Sequence, residues 1–147
     1  MVTRILIFLK FSQLIVNSCS SVCVQVGEIF WGLWAWNKGA NNYYRANITR
    51  ITPTRVDFAL VYNREQKRSY PRTDEVLIID KVPSIGDVPP NSPVIANQFS
   101  DRKRYRTGNT TGPFDDSSVY VRFDDGEEKV VPLRRVRLVS RPLFCSD

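Results

Sequence analysis

From Gly27 onward the chain reads as short apolar or alternating runs cut by turn residues. Ile29–Trp36 is a nearly unbroken apolar run, and Tyr43–Ile51 follows it after the polar stretch Asn37-Lys38-Gly39-Ala40-Asn41-Asn42. Arg55–Tyr62 alternates with a period of two, which places Val56, Phe58 and Leu60 on one face and predicts a half-buried strand. Arg68–Tyr70 and Glu75–Asp80 complete this first set. Pro83, Gly86, Pro89 and Pro90 then mark a connector across 83–92, where missing amide donors interrupt any ladder. Beyond it the order recurs: Pro93–Asn97, Arg104–Asn109, Ser118–Phe123, Glu128–Val131 and Val136–Val139. Val119, Val121 and Phe123 share a face, and Asp124-Asp125-Gly126 forms a hairpin turn in which glycine supplies the positive φ.

The second set repeats the first at one constant spacing. Ala35 recurs as Ala96, Tyr44-Arg45 as Tyr105-Arg106, Pro71 as Pro132 and Leu77 as Leu138. Several matches at one spacing, in the same order of strands and turns, predict an internal duplication. The reading is all-β, with two consecutive small five-stranded SH3-like barrels at 27–82 and 93–141. A single sandwich of about ten strands is the competing architecture. Residues 1–26 read as an N-terminal extension, and 142–147 as a tail. Arg4, the apolar run Ile5–Leu9 and the small residues from Ser18 to Ser21 have the outline of a secretory leader, which Lys10 and Gln13 interrupt. The expected compartment is the nucleus or cytoplasm, or the secreted space if that leader functions. No segment reads as membrane-spanning.

Composition supports strands and narrows the chemistry. The chain is 42% hydrophobic with nine prolines and seven glycines, too apolar for a disordered chain and too interrupted for long helices. The net charge is +6, and the charges cluster. Arg102, Lys103, Arg104 and Arg106 form one basic group, and Arg134, Arg135 and Arg137 another. Asp115, Asp116, Asp124, Asp125, Glu127 and Glu128 are the acidic counterpart. There is no histidine, which removes the commonest general base and metal ligand. The three cysteines, Cys19, Cys23 and Cys145, lie near the ends, so no disulfide framework or zinc site is expected within 27–143. Without a phosphate-binding glycine loop or a placed nucleophile, the expectation is a non-enzymatic module with no cofactor and no metal.

Particular stretches resemble the Tudor, agenet and chromo-like group of reader barrels. These are Trp34-Ala35-Trp36, Tyr44-Arg45-Ala46-Asn47-Ile48, Val56–Tyr62 with Asn63-Arg64-Glu65, Val119–Gly126 and Val136–Val139. The pattern is similar to paired Tudor-like units of animal proteins, and that resemblance implies binding of a methylated lysine or arginine of a protein or peptide partner in a cage of aromatic faces. A methylated ammonium is a diffuse, weakly hydrated cation, so ring quadrupoles attract it at small desolvation cost. The positions that match such a cage are Trp36, Tyr44, Phe58 and Tyr62, with Asn63 as polar partner. In the second unit Asn97 replaces Trp36, leaving Tyr105, Phe123 and Asp125 as a weaker cage. Rings in so small a barrel also fill its core, and Trp34 is assigned there. Two alternatives stand beside the reader: a scaffold domain of a larger protein, and nucleic-acid binding through Arg102, Lys103, Arg104 and Arg106 around Tyr105.

Overall fold

The computed structural model describes residues 23–37, 40–72, 76–97, 103–139 and 143–144, with the backbone alone at 35–37, 40 and 143. The alternating segments form strands, and no α-helix occurs among the described residues. In chain order these are β1 (Cys23–Val24), β2 (Ile29–Asn37), β3 (Ala40–Ile51), β4 (Arg55–Leu60), β5 (Lys67–Pro71) and β6 (Leu77–Ile79). A 3-10 turn at Ile85–Asp87 precedes β7 (Pro93–Ala96), β8 (Tyr105–Asp115), β9 (Ser118–Phe123) and β10 (Glu128–Pro132). A second 3-10 turn at Leu133–Arg135 leads into β11 (Val136–Leu138), and β12 (Leu143–Phe144) follows. The chain is all-β.

β2 to β11 belong to one ten-stranded, branched sheet that does not close on itself. Its pairings fall into two sets. In the first, β2, β3, β4 and β5 form an antiparallel meander, and β6 returns to pair with β2. In the second, β7, β8, β9 and β10 form a meander, and β11 returns to β7. A short antiparallel seam between β3 and β8 joins them, with Asn42 opposite Arg106 and Tyr43 opposite Tyr105. One register slip in each set falls at a matching step. β3 bulges between Ile48 and Arg50, opposite Phe58 and Asp57; β8 bulges between Thr110 and Gly112, opposite Val121 and Tyr120. A bulge adds one unpaired residue and increases local twist, which lets a strand bend around a core.

Each set covers its own apolar cluster. Trp31, Leu33, Ile48, Val56, Phe58 and Ile78 pack in the first, joined from the other set by Ile95 and Tyr105. Val94, Val119, Val121, Phe123, Val131 and Val136 pack in the second. Gly32 is required for the first core: a Cβ there would meet the Phe58 ring at 2.7 Å. Gly126 closes the β9–β10 hairpin at φ +96°, as the turn chemistry predicts.

Three features depart from the sequence reading. Strand β1 lies within the stretch assigned to the extension, and it pairs in parallel with β12, inside the stretch assigned to the tail. Val24 is buried in the first core and Phe144 packs against it. Cys23 is disulfide-bonded, which the odd cysteine count did not specify. The 83–92 connector, which the sequence marks only as a break in the ladder, is docked on the second core. Asp87 accepts hydrogen bonds from the Ser84 amide and hydroxyl at 3.0 and 2.9 Å, and Val88 is buried in the second core.

Candidate functional site

The end of β4 determines which rings face outward. Phe58, Leu60 and Tyr62 share one period-two face, and Phe58 and Leu60 are buried on it. The strand stops at Leu60 and the chain turns, so Tyr62 leaves the core and is 50% exposed. The amide of Val61 donates to the Arg45 carbonyl at 3.0 Å, which holds this turn beside β3. Tyr44, on β3, therefore lies next to Tyr62, with ring centroids 6.0 Å apart and planes tilted by 44°. Trp34 meets Tyr44 edge-on at 6.4 Å. Trp34 has no partner in the β2–β3 ladder, because it falls at the register slip between Leu33 and Ala35.

Two cations already rest on these rings. The Lys103 ammonium is 4.9 Å from the Tyr62 centroid, and the Arg68 guanidinium is 3.6 Å from that of Trp34. Both distances are within the range at which a ring quadrupole attracts a cation. Desolvation, and after it the neighbouring Tyr44, raises the Tyr62 phenol pKa above its ordinary value.

The remaining sequence-named positions divide among other roles. Trp36 pairs through its backbone with Asn41, and its side chain lies outside the described residues. Phe58 is 0% exposed and stacks on Tyr70 at 5.9 Å, so it offers no face to a ligand. Asn63 accepts the Glu65 amide at 3.2 Å, which commits its carbonyl to the turn. Tyr105 is buried against Trp31 at 3.9 Å, and Phe123 is buried in the second core. Asp125 accepts from Arg106 at 3.0 Å and from the Glu127 amide at 2.9 Å. Of the basic group, Arg102 lies outside the described residues, Lys103 is on Tyr62, Arg104 is half-buried, and Arg106 is paired with Asp125. Lys103 and Arg106 are thus engaged in different contacts.

Trp34, assigned to the core, is half-buried and packs against the first apolar cluster, while Arg68 covers its ring; the bulge beside it leaves no sequence mark. Sequence reasoning missed a polar hub at the seam. There Asp80 accepts from Trp31 Nε1 at 2.9 Å and from Arg137 Nε at 2.8 Å, and it pairs with Arg45 at 3.1 Å. Desolvation pushes the Asp80 carboxyl upward. The hydrogen bonds from Arg137 and Trp31 and the charges of Arg45 and Arg137 outweigh it, holding the group below its ordinary 3.8.

Among the described residues no group of three or more His, Cys, Asp or Glu is placed to hold a metal ion. Among them, too, no helix is long and apolar enough to cross a membrane. No family model and no curated protein matches the chain.

Proposed function

We propose that the chain is a non-enzymatic binding module of two tandem Tudor-like barrels, whose first unit receives a methylated lysine or arginine of a protein partner between Tyr44, Tyr62 and Trp34. The two strand sets support the tandem reading: the pairing order is the same in both, and one bulge falls at the same step of each. One observation carries the ligand class. Tyr62, exposed, and Trp34, half-buried, already hold two of the chain's own cations, Lys103 and Arg68, by their faces. A methylated ammonium gains the same ring attraction with less hydration to lose than a free lysine.

Titration of the chain with matched unmodified and methylated lysine and arginine peptides, at fixed salt, tests this reading. A preference for a methylated peptide that disappears in folded Tyr44→Ala and Tyr62→Ala variants supports it. Equal binding of modified and unmodified peptides refutes it. The scaffold reading is favoured by Lys103, which already covers Tyr62. It predicts no methyl preference even when Lys103 is removed.

A further inference from the structure

A second cleft lies at the seam between the strand sets, on residues the ring cluster does not use. Trp31, Arg45, Tyr105, Arg134, Arg135 and Arg137 line a cavity of about 380 Å³. Trp31 and Tyr105 are 1% and 5% exposed, so a ligand entering the cleft meets guanidinium groups rather than ring faces. The cleft therefore has the opposite preference from the ring cluster: it suits an anion.

Arg137 is the fixed floor. It is buried, its Nε donates to Asp80, and its Nη1 donates to the Arg134 and Val136 carbonyls at 2.9 Å each. Arg45 gives one arm to Asp80 and lies 5.2 Å from the Trp31 ring, yet 47% of its side chain is exposed. Arg134 is exposed at the rim, carried with Arg135 on the 3-10 turn between β10 and β11. The guanidiniums thus reach the cleft from two walls, β3 and this turn. A tetrahedral anion has oxygens in three dimensions and accepts from both walls at once. A planar carboxylate satisfies one fork at a time. Asp80 already supplies that planar acceptor from within the fold.

We propose that this cleft binds a phosphate group, carried by a phosphorylated small molecule or by a single-stranded nucleic acid. Calorimetric titration of the full chain at low salt, with pyrophosphate in one arm and a short oligothymidylate in the other, tests it. An oligoglutamate serves as the carboxylate control. The expected result is saturable binding of at least one phosphate probe, with oligoglutamate at least tenfold weaker; the tighter arm identifies the source. Binding of the oligonucleotide should also weaken with salt, with a slope of about 0.7 per phosphate contacted.

The double variant Arg134→Gln/Arg135→Gln should lose at least tenfold in affinity with an unchanged melting temperature. Arg122→Gln/Lys129→Gln, which removes the same charge from exposed positions on β9 and β10, should lose less than threefold. If the first variant melts early, Arg134→Gln alone repeats the test at an exposed side chain and should weaken binding in the same sense. No saturable binding of either phosphate probe overturns the proposal. So does equal affinity for oligoglutamate, or equal loss in the two double variants.

Discussion

The two strand sets place different chemistry at the same point of the same ladder. In the first, Tyr44 lies opposite Gly32 across β2–β3, and Tyr62 stands two residues beyond Leu60, which faces Ala46. In the second, Arg106 lies opposite Ala96 across β7–β8, and Asp125 stands two residues beyond Phe123, which faces Gly108. The backbone agrees: Val61 donates to the Arg45 carbonyl at 3.0 Å, and Asp124 donates to that of Thr107 at 3.2 Å. A ring pair at 6.0 Å in one set is matched by an ion pair at 3.0 Å in the other. Either pair pins the turn after the third strand of its set against the second strand. The first leaves ring faces for a cation, whereas the second is satisfied within itself. The scaffold and the binding chemistry are thus separable.

The largest expected effect tests whether the halves are energetically distinct. Phe58→Ala and Phe123→Ala each empty a buried ring position and should each cost about 3–5 kcal/mol in denaturant unfolding. If the two sets fold as separate units, each variant will split the transition and shift only one limb. A single shifted transition in both cases would mean that the seam makes the sheet one cooperative body.

Asp80→Asn should cost about 1–3 kcal/mol, since it weakens charge-assisted bonds to Arg137 and Arg45. Its pH dependence has a definite sign. Because the folded carboxyl lies below 3.8, the stability it contributes is fully present above that value and is lost as pH falls below it. The variant should therefore show a shallower acid limb than the parent chain in unfolding measured across that range.

Exchanging the pairs tests the comparison at its centre. Tyr44→Arg with Tyr62→Asp should keep the chain folded, as judged by circular dichroism, and reduce methyl-peptide affinity about tenfold, or roughly 1–2 kcal/mol. Unfolding of this variant would show that the first set needs its rings for packing. Lys103→Ala has the smallest expected effect. Removing the resident cation from Tyr62 should tighten methyl-peptide binding about threefold, read by the same titration.

Much of the fold is legible in the sequence, because period-two alternation survives wherever one face is buried. β9 is the clearest case, with Val119, Val121 and Phe123 inward and Tyr120 and Arg122 outward. The seam is not legible, since pairing between β3 and β8 depends on contacts distant in sequence. The expected duplication runs out of step with the ladders at three strands: the sequence matches Ala35 with Ala96, Tyr44 with Tyr105 and Leu77 with Leu138, while the ladders place Gly32, Tyr43 and Ile79 at those steps. At the candidate site the sequence groups Phe58 with Tyr44 and Tyr62, although Phe58 is buried and Tyr62 is exposed. All of Phe58, Leu60 and Tyr62 have the same parity, and only the end of β4 at Leu60 separates a core ring from a surface one.

The pairing of β1 with β12 has a topological consequence. Cys23 faces Leu143 and Val24 faces Phe144, so the two ends of the described chain run side by side. A short linker can join them, and the chain can be reopened between Lys81 and Val82, both exposed and outside the sheet. Such a circular permutant would translate the second strand set before the first yet retain every ladder, and the native order of the two sets would then be a matter of history rather than of folding.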